Sequence, residues 1–118
     1  MKHTISLAIS QMRVSALIAL YHTLERLINE HLGVTGHTDA EGSAALRMLG
    51  CDPDENGLTD LRLAANVARH GEGNSAEALR LRRPELLLGD ELVLSDDEIN
   101  AFYRMVNRST ARTASPGS

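Results

Sequence analysis

The stretch of this sequence richest in reactive groups is "LRLAANVARHGEGNS", residues 61–75. Arg62, Asn66 and His70 recur every fourth residue. On a helix each such step turns roughly 40°, so the three share one face, with Arg69 beside them. A histidine can accept a proton near neutral pH, and an arginine steadies a phosphate with its planar fork. An asparagine can orient either group. Together they suit metal-independent cleavage of an RNA strand, in which a base takes the 2′-hydroxyl proton and a cation stabilises the phosphate. The same residues also have a structural use. Arg69 and His70, in the last turn before Gly71, can satisfy the final carbonyls and complement the helix dipole.

Other chemistries find less support. The five histidines, His3, His22, His31, His37 and His70, form no HExxH and no Glu-x-x-His pair, so no metal site and no cofactor are expected. The single cysteine, Cys51, cannot form an internal disulfide, and it reads as the incidental thiol of a reduced, cytoplasmic protein. No strand–Gly-x-Ser-x-Gly–helix element is present, and Gly71-x-Gly73 follows a helix rather than a strand, unlike a phosphate-cradling loop.

A net charge of −4 argues against broad electrostatic attraction to nucleic acid, but the charge is unevenly spread. Residues 39–60 are acidic except for Arg47. Residues 62–83 carry Arg62, Arg69, Arg80, Arg82 and Arg83 against Glu72 and Glu77. Residues 85–98 are acidic again. Arg80, Arg82 and Arg83 are therefore the candidate RNA-binding residues, unless the alternation is an ordinary solvated surface.

The elements that must position these groups are helical. Aromatic residues make up 3% of the chain, so the core rests on Leu, Ala, Ile, Val and Met, which suits packed helices. Leu17, Leu20, Leu24, Leu27, Ile28 and Leu32 recur at helical spacing, predicting a first helix from about Ile5 to Leu32. Its middle, "VSALIALYHTL", is apolar on more than one side, which implies a second contact surface, as in a homodimer. Thr38 with Glu41 makes a capping box for a second helix ending near Gly50. "CDPDENG" reads as a turn. A third helix is expected from about Thr59 to His70, with Leu61, Ala64, Ala65 and Ala68 inward. A short fourth follows from Asn74 or Ser75 to Pro84, and Ser95 with Glu98 caps a last helix through about Arg108. Within that last helix Ile99, Phe102, Tyr103 and Val106 should face the core. "LLLGDELVL" is either a loop or a short extended pair.

The expected organisation is a single all-α domain of four to five helices over residues 1–108, with a disordered polar tail at 109–118. The longest apolar run, Val14 to Tyr21, is too short for a bilayer crossing of about 20 residues, so no membrane association is expected.

The long first helix, the Asn66-x-x-x-His70 helix end, its glycine-rich exit and "SAEALRLRRPEL" together resemble the HEPN superfamily over roughly residues 15–86. The resemblance implies a small helical bundle, a homodimer, and a place in toxin–antitoxin, phage-defence or RNA-processing systems. In active members an arginine precedes the histidine by four to six spacer residues, and two protomers join their motifs in one RNA-cleaving cleft. His70 matches the histidine and Asn66 the polar position. Leu63, Ala64 and Ala65 occupy the arginine's places, and Arg62 lies one residue too far back. Three functions remain open. One is a HEPN-like domain that binds RNA or a partner protein, such as a cognate antitoxin or a larger complex, with a degenerate nuclease motif. Another is an active endoribonuclease using His70 with Arg62 or Arg69, and the last is a structural dimerisation module.

Overall fold

The structure is a computed structural model that describes residues 2–71, 73–89 and 91–112. Five helices account for most of it: α1 (Lys2–Leu32), α2 (Asp39–Met48), α3 (Glu55–His70), α4 (Asn74–Arg82) and α5 (Asp96–Thr110). A 3₁₀ turn at Pro84–Leu86 leads into a two-stranded antiparallel hairpin, β1 (Leu87–Leu88) and β2 (Glu91–Leu92). Leu87 pairs with Leu92 and Leu88 with Glu91, so "LLLGDELVL" is an extended pair. The fold is an all-α bundle with this small hairpin attached.

Two helix starts follow from local chemistry. Thr38 Oγ1 accepts from the Glu41 N–H while Glu41 Oε1 accepts from the Thr38 N–H, closing the expected capping box on α2. Ser95 and Glu98 do the same for α5.

Helix α3 starts earlier than its sequence suggests. Asp54 rather than Thr59 caps it, accepting from the Gly57 N–H at 2.9 Å. The Asn56-Gly57 pair thus lies within the first helical turn. Gly57 is there for space: a Cβ at this position would sit 2.6 Å from Met105 Cγ of α5. Helix α4 starts at Asn74, as expected, with Gly73 at its N-cap position and no side-chain cap.

The core forms around α3, which packs against α1, α2, α4, α5 and the hairpin. Leu61, Leu63, Ala64, Ala65 and Val67 are all buried, so α3 is enclosed on several sides, and its alanines let neighbouring helices approach closely. Leu17, Leu24 and Ile28 of α1 and Ile99, Phe102, Met105 and Val106 of α5 close the core. Tyr103, expected inside, is exposed. It lies 100° round the helix from Phe102, and Met105 takes its place.

The domain boundary expected after residue 108 also moves. Helix α5 continues to Thr110, and Ser109 is fully buried, donated to by the Asp54 N–H at 3.0 Å. Cys51 and Arg112 then form an isolated antiparallel bridge. Residues 109–112 therefore belong to the folded body, and the rest of the expected tail lies outside the described residues.

Helix α1 is long and apolar enough, by length and composition alone, to cross a membrane: within Thr4–Leu32 a stretch of 18 residues reaches a mean hydropathy of 1.3. Counting only the run Val14–Tyr21 understated this, because Ile5, Leu7, Ala8, Ile9 and Met12 extend it towards the N-terminus with Arg13 as the one charge between. The C-terminal half of α1 packs into the bundle, while residues 4–12 are exposed along their whole length.

Candidate functional site

The α3 face carrying Arg62, Asn66 and His70 was the sequence's strongest candidate. Arg62 projects from the middle of the helix onto α2, where its Nε donates to Asp39 Oδ1 at 2.8 Å and Oδ2 at 3.0 Å. Thr59 Oγ1 donates to the same carboxylate at 3.2 Å. Asn66 is half-buried. His70 and Arg69 are exposed in the last turn, where they complement the helix dipole, and the Gly71 N–H closes that turn on the Val67 carbonyl. Eight residues separate Arg62 from His70, about 12 Å of helix rise. Within one protomer, then, the arginine and the histidine do not converge. His70 makes no hydrogen bond or ion pair among the described residues.

The three positions at which the resemblance would place an arginine are closed off. Leu63 is 5% exposed, and Ala64 and Ala65 are at 0%. An arginine at any of them would have to bury a guanidinium in the core rather than offer it to a phosphate.

The candidate RNA-binding arginines are also engaged. Arg82 Nε donates to Asp60 Oδ1 at 2.6 Å and its Nη2 to the Asn56 carbonyl at 3.2 Å. Arg83 pairs with Glu85 and lies 3.5 Å from the other oxygen of Asp60. Its guanidinium stands 6.0 Å from the centre of the Phe102 ring. Arg80 donates to the Gly89 carbonyl at 2.9 Å. Asp60 is a buried carboxylate, so Arg82 and Arg83 answer its charge and tie α4 to the start of α3. The alternation of acidic and basic segments is thus largely internal pairing: Asp39 with Arg62, Arg47 with Glu55, Asp60 with Arg82 and Arg83, Asp96 with Arg13.

The structure also assembles a polar group that the sequence did not single out. Tyr21 OH donates to Glu25 Oε2 at 3.2 Å, and His22 Nδ1 lies 3.6 Å from Oε1 of the same carboxylate. Burial, reinforced by the Glu25 charge, pushes the Tyr21 phenol up to about 12. His37 Nδ1 donates to Asn29 Oδ1 at 2.6 Å. The imidazole lies against Gly42, where an added Cβ would stand 3.0 Å from His37 Cδ2. His37, Thr38, Asp39 and Arg62 line an open hollow of about 360 Å³. The one sequence signal for this group was His37 immediately before a capping box. Arg62 already neutralises Asp39 here, so the hollow offers an imidazole beside a satisfied ion pair rather than a free guanidinium for phosphate.

Among the described residues, no group of three or more His, Cys, Asp or Glu side chains is placed to hold a metal ion. No protein-family model matches the chain, and neither a curated protein nor a solved structure shows significant similarity to it.

Proposed function

We propose that this chain is a HEPN-like helical binding domain, working in the cytoplasm as a homodimer and without nuclease activity of its own. Its ligand in this reading is a partner protein, such as a cognate antitoxin or a larger complex, in the toxin–antitoxin or phage-defence setting that the resemblance implies. The observation that carries the reading is the burial of Leu63, Ala64 and Ala65 at 0–5% exposure, which leaves no route for the motif's arginine to reach a phosphate. The engagement of Arg62, Arg80, Arg82 and Arg83 by carboxylates and carbonyls of their own fold favours a protein ligand over RNA.

A second reading, a metal-independent endoribonuclease, draws on the exposure of His70 and Arg69, neither of which is held by another described side chain. One assay separates the two. Purified protein is incubated with mixed RNA in EDTA beside His70→Ala. No cleavage by either protein is the expected result, and cleavage by the parent that His70→Ala abolishes would establish the nuclease instead.

A further inference from the structure

Helix α1 carries two apolar stripes, and the fold uses one. Leu17, Leu24 and Ile28 are buried against the bundle, with Val14 and Tyr21 beside them. A second stripe, Ile5, Ile9, Met12, Ala16, Ala19 and Thr23, follows at alternating steps of four and three residues. At 100° per residue it lies roughly 120° round the helix from the first. This is the spacing of a helix that packs lengthwise against another helix. Among the described residues nothing covers its large members: Ile5 is 59% exposed, Ile9 42% and Met12 70%, with Leu27 at 47% on the flank.

We infer that this stripe is the face on which two copies of the chain pair, α1 against α1 and antiparallel. Large side chains stand towards its ends, Ile5, Ile9 and Met12 at one and Leu27 at the other, and alanines occupy the middle. Reversing one helix therefore sets Ile9 and Met12 of each copy against the Thr23–Leu27 region of the other. Ala16 and Ala19 then fall at the crossing, where two backbones must approach closely. The stripe is complementary to itself, as a two-fold contact requires. Charge decides the direction. A parallel pair would place Arg26 beside Arg26 and Glu30 beside Glu30, whereas the antiparallel pair sets them opposite the uncharged segment from Thr4 to Met12.

Length argues against a bilayer as the occupant. Only residues 4–12 stand clear of the core, about 14 Å of helix, less than half the ~30 Å of a hydrocarbon layer. The remainder could enter a membrane only by withdrawing Leu17, Leu24 and Ile28 from the bundle. The strip from Ile5 to Leu27 is about 33 Å long and about 10 Å wide, enough for several hundred Å² on each copy. That is towards the lower side of the ~800 Å² per partner of a standard interface, the size of a reversible rather than a permanent contact.

The inference rests on the dimeric part of the proposed function and not on its ligand. Sedimentation equilibrium of the full chain, over micromolar to sub-millimolar concentration, tests it. The parent should be a dimer. The pair Ile9→Glu and Met12→Glu should be monomeric with an unchanged circular-dichroism spectrum and melting temperature, because neither residue touches the core. Leu81→Glu, at the most exposed leucine of α4, should leave the dimer intact. In a Cys51→Ser background, Ala19→Cys should give a disulfide-linked dimer on mild oxidation and Leu81→Cys should not. A parent that stays monomeric throughout overturns both this pairing and the proposed homodimer. A dimer that survives the double substitution overturns the surface but leaves the homodimer standing. Co-sedimentation of a monomeric parent with phosphatidylcholine–phosphatidylglycerol vesicles, lost in the double variant, would assign the stripe to lipid instead.

Discussion

Arg62 Nε and the Asp39 carboxylate, 2.8 and 3.0 Å apart through the two oxygens, join α3 to the first turn of α2. The contact uses one of the two arginines that could have replaced the missing member of a nuclease motif. It also satisfies an acid at the α2 N-terminus, where the dipole already favours negative charge.

Asp39→Ala is therefore expected to weaken the fold without creating an activity. Both side chains are more than a third exposed, so solvent screens the pair. With the Thr59 hydrogen bond included, the cost is about 1 kcal/mol. Urea unfolding followed by circular dichroism measures it. New RNA cleavage by Asp39→Ala in EDTA would show that Arg62 had been held back from catalysis.

Ala65→Arg, the change that would restore the motif, should abolish folding rather than confer activity. Ala65 has no exposed surface, and a guanidinium there would lose its hydration without gaining a partner. A loss of more than about 3 kcal/mol is expected, comparable to an unpaired buried charge. A soluble Ala65→Arg protein with parental stability and ribonuclease activity would overturn the burial argument and revive the nuclease.

Substituting the basic triplet should damage the fold before it reports on RNA. Arg82→Ala removes the 2.6 Å contact to buried Asp60 and leaves that carboxylate with Arg83 alone. About 2 kcal/mol should be lost, below the full cost of stranding a buried charge because Arg83 remains. Arg82→Lys should recover part of it as a point charge without the fork. Chemical denaturation of both variants provides the check, and equal stability of parent and Arg82→Ala would return this arginine to the surface.

Three carboxylates should make stability fall in acid. Glu41 is held below its ordinary value of 4.5 by the Thr38 backbone N–H and hydroxyl, and Glu85 by the hydrogen bond from Arg83. Asp96 is held below 3.8 by its hydrogen bond from Arg13 and by that residue's charge. A depressed folded pKa stabilises the protein above the unfolded value, and the contribution disappears as pH falls through the folded one. Unfolding free energy should therefore decline as pH drops below about 4.5, the highest ordinary value among the three. The decline should be shallower in Glu41→Gln and in Asp96→Asn.

Local chemistry was legible in the sequence and tertiary pairing was not. The capping boxes Thr38–Glu41 and Ser95–Glu98 each need residues three apart, so they could be read directly. The Arg62, Asn66 and His70 face was legible as helical periodicity, but its direction depended on Asp39, which α2 brings in from outside the helix. The same limit hid how far the burial of α3 extends. Leu61, Ala64 and Ala65 could be placed inward from periodicity, but the burial of Leu63 and Val67 is decided only by the packing of several elements round α3. Asn56-Gly57 misled for a related reason, because a glycine needed for close approach to Met105 looks in sequence like one needed for a turn.

Tyr21 gives the polar group between α1 and α3 a spectroscopic signature. Its phenol is raised to about 12 by burial and by the neighbouring Glu25 carboxylate. A raised folded pKa means that the unfolded chain ionises first. The neutral phenol thus contributes stability up to its ordinary value of 10.0, and that contribution is lost as pH rises towards about 12. In a Tyr103→Phe background, tyrosinate absorbance should report the single remaining phenol, titrating near 12 with unfolding close behind. Glu25→Gln removes the repulsion but not the burial, so the midpoint should fall while staying above the ordinary value. A midpoint near 10 in the folded parent would mean that Tyr21 is solvated, and the packing of α1 against α3 would need redrawing.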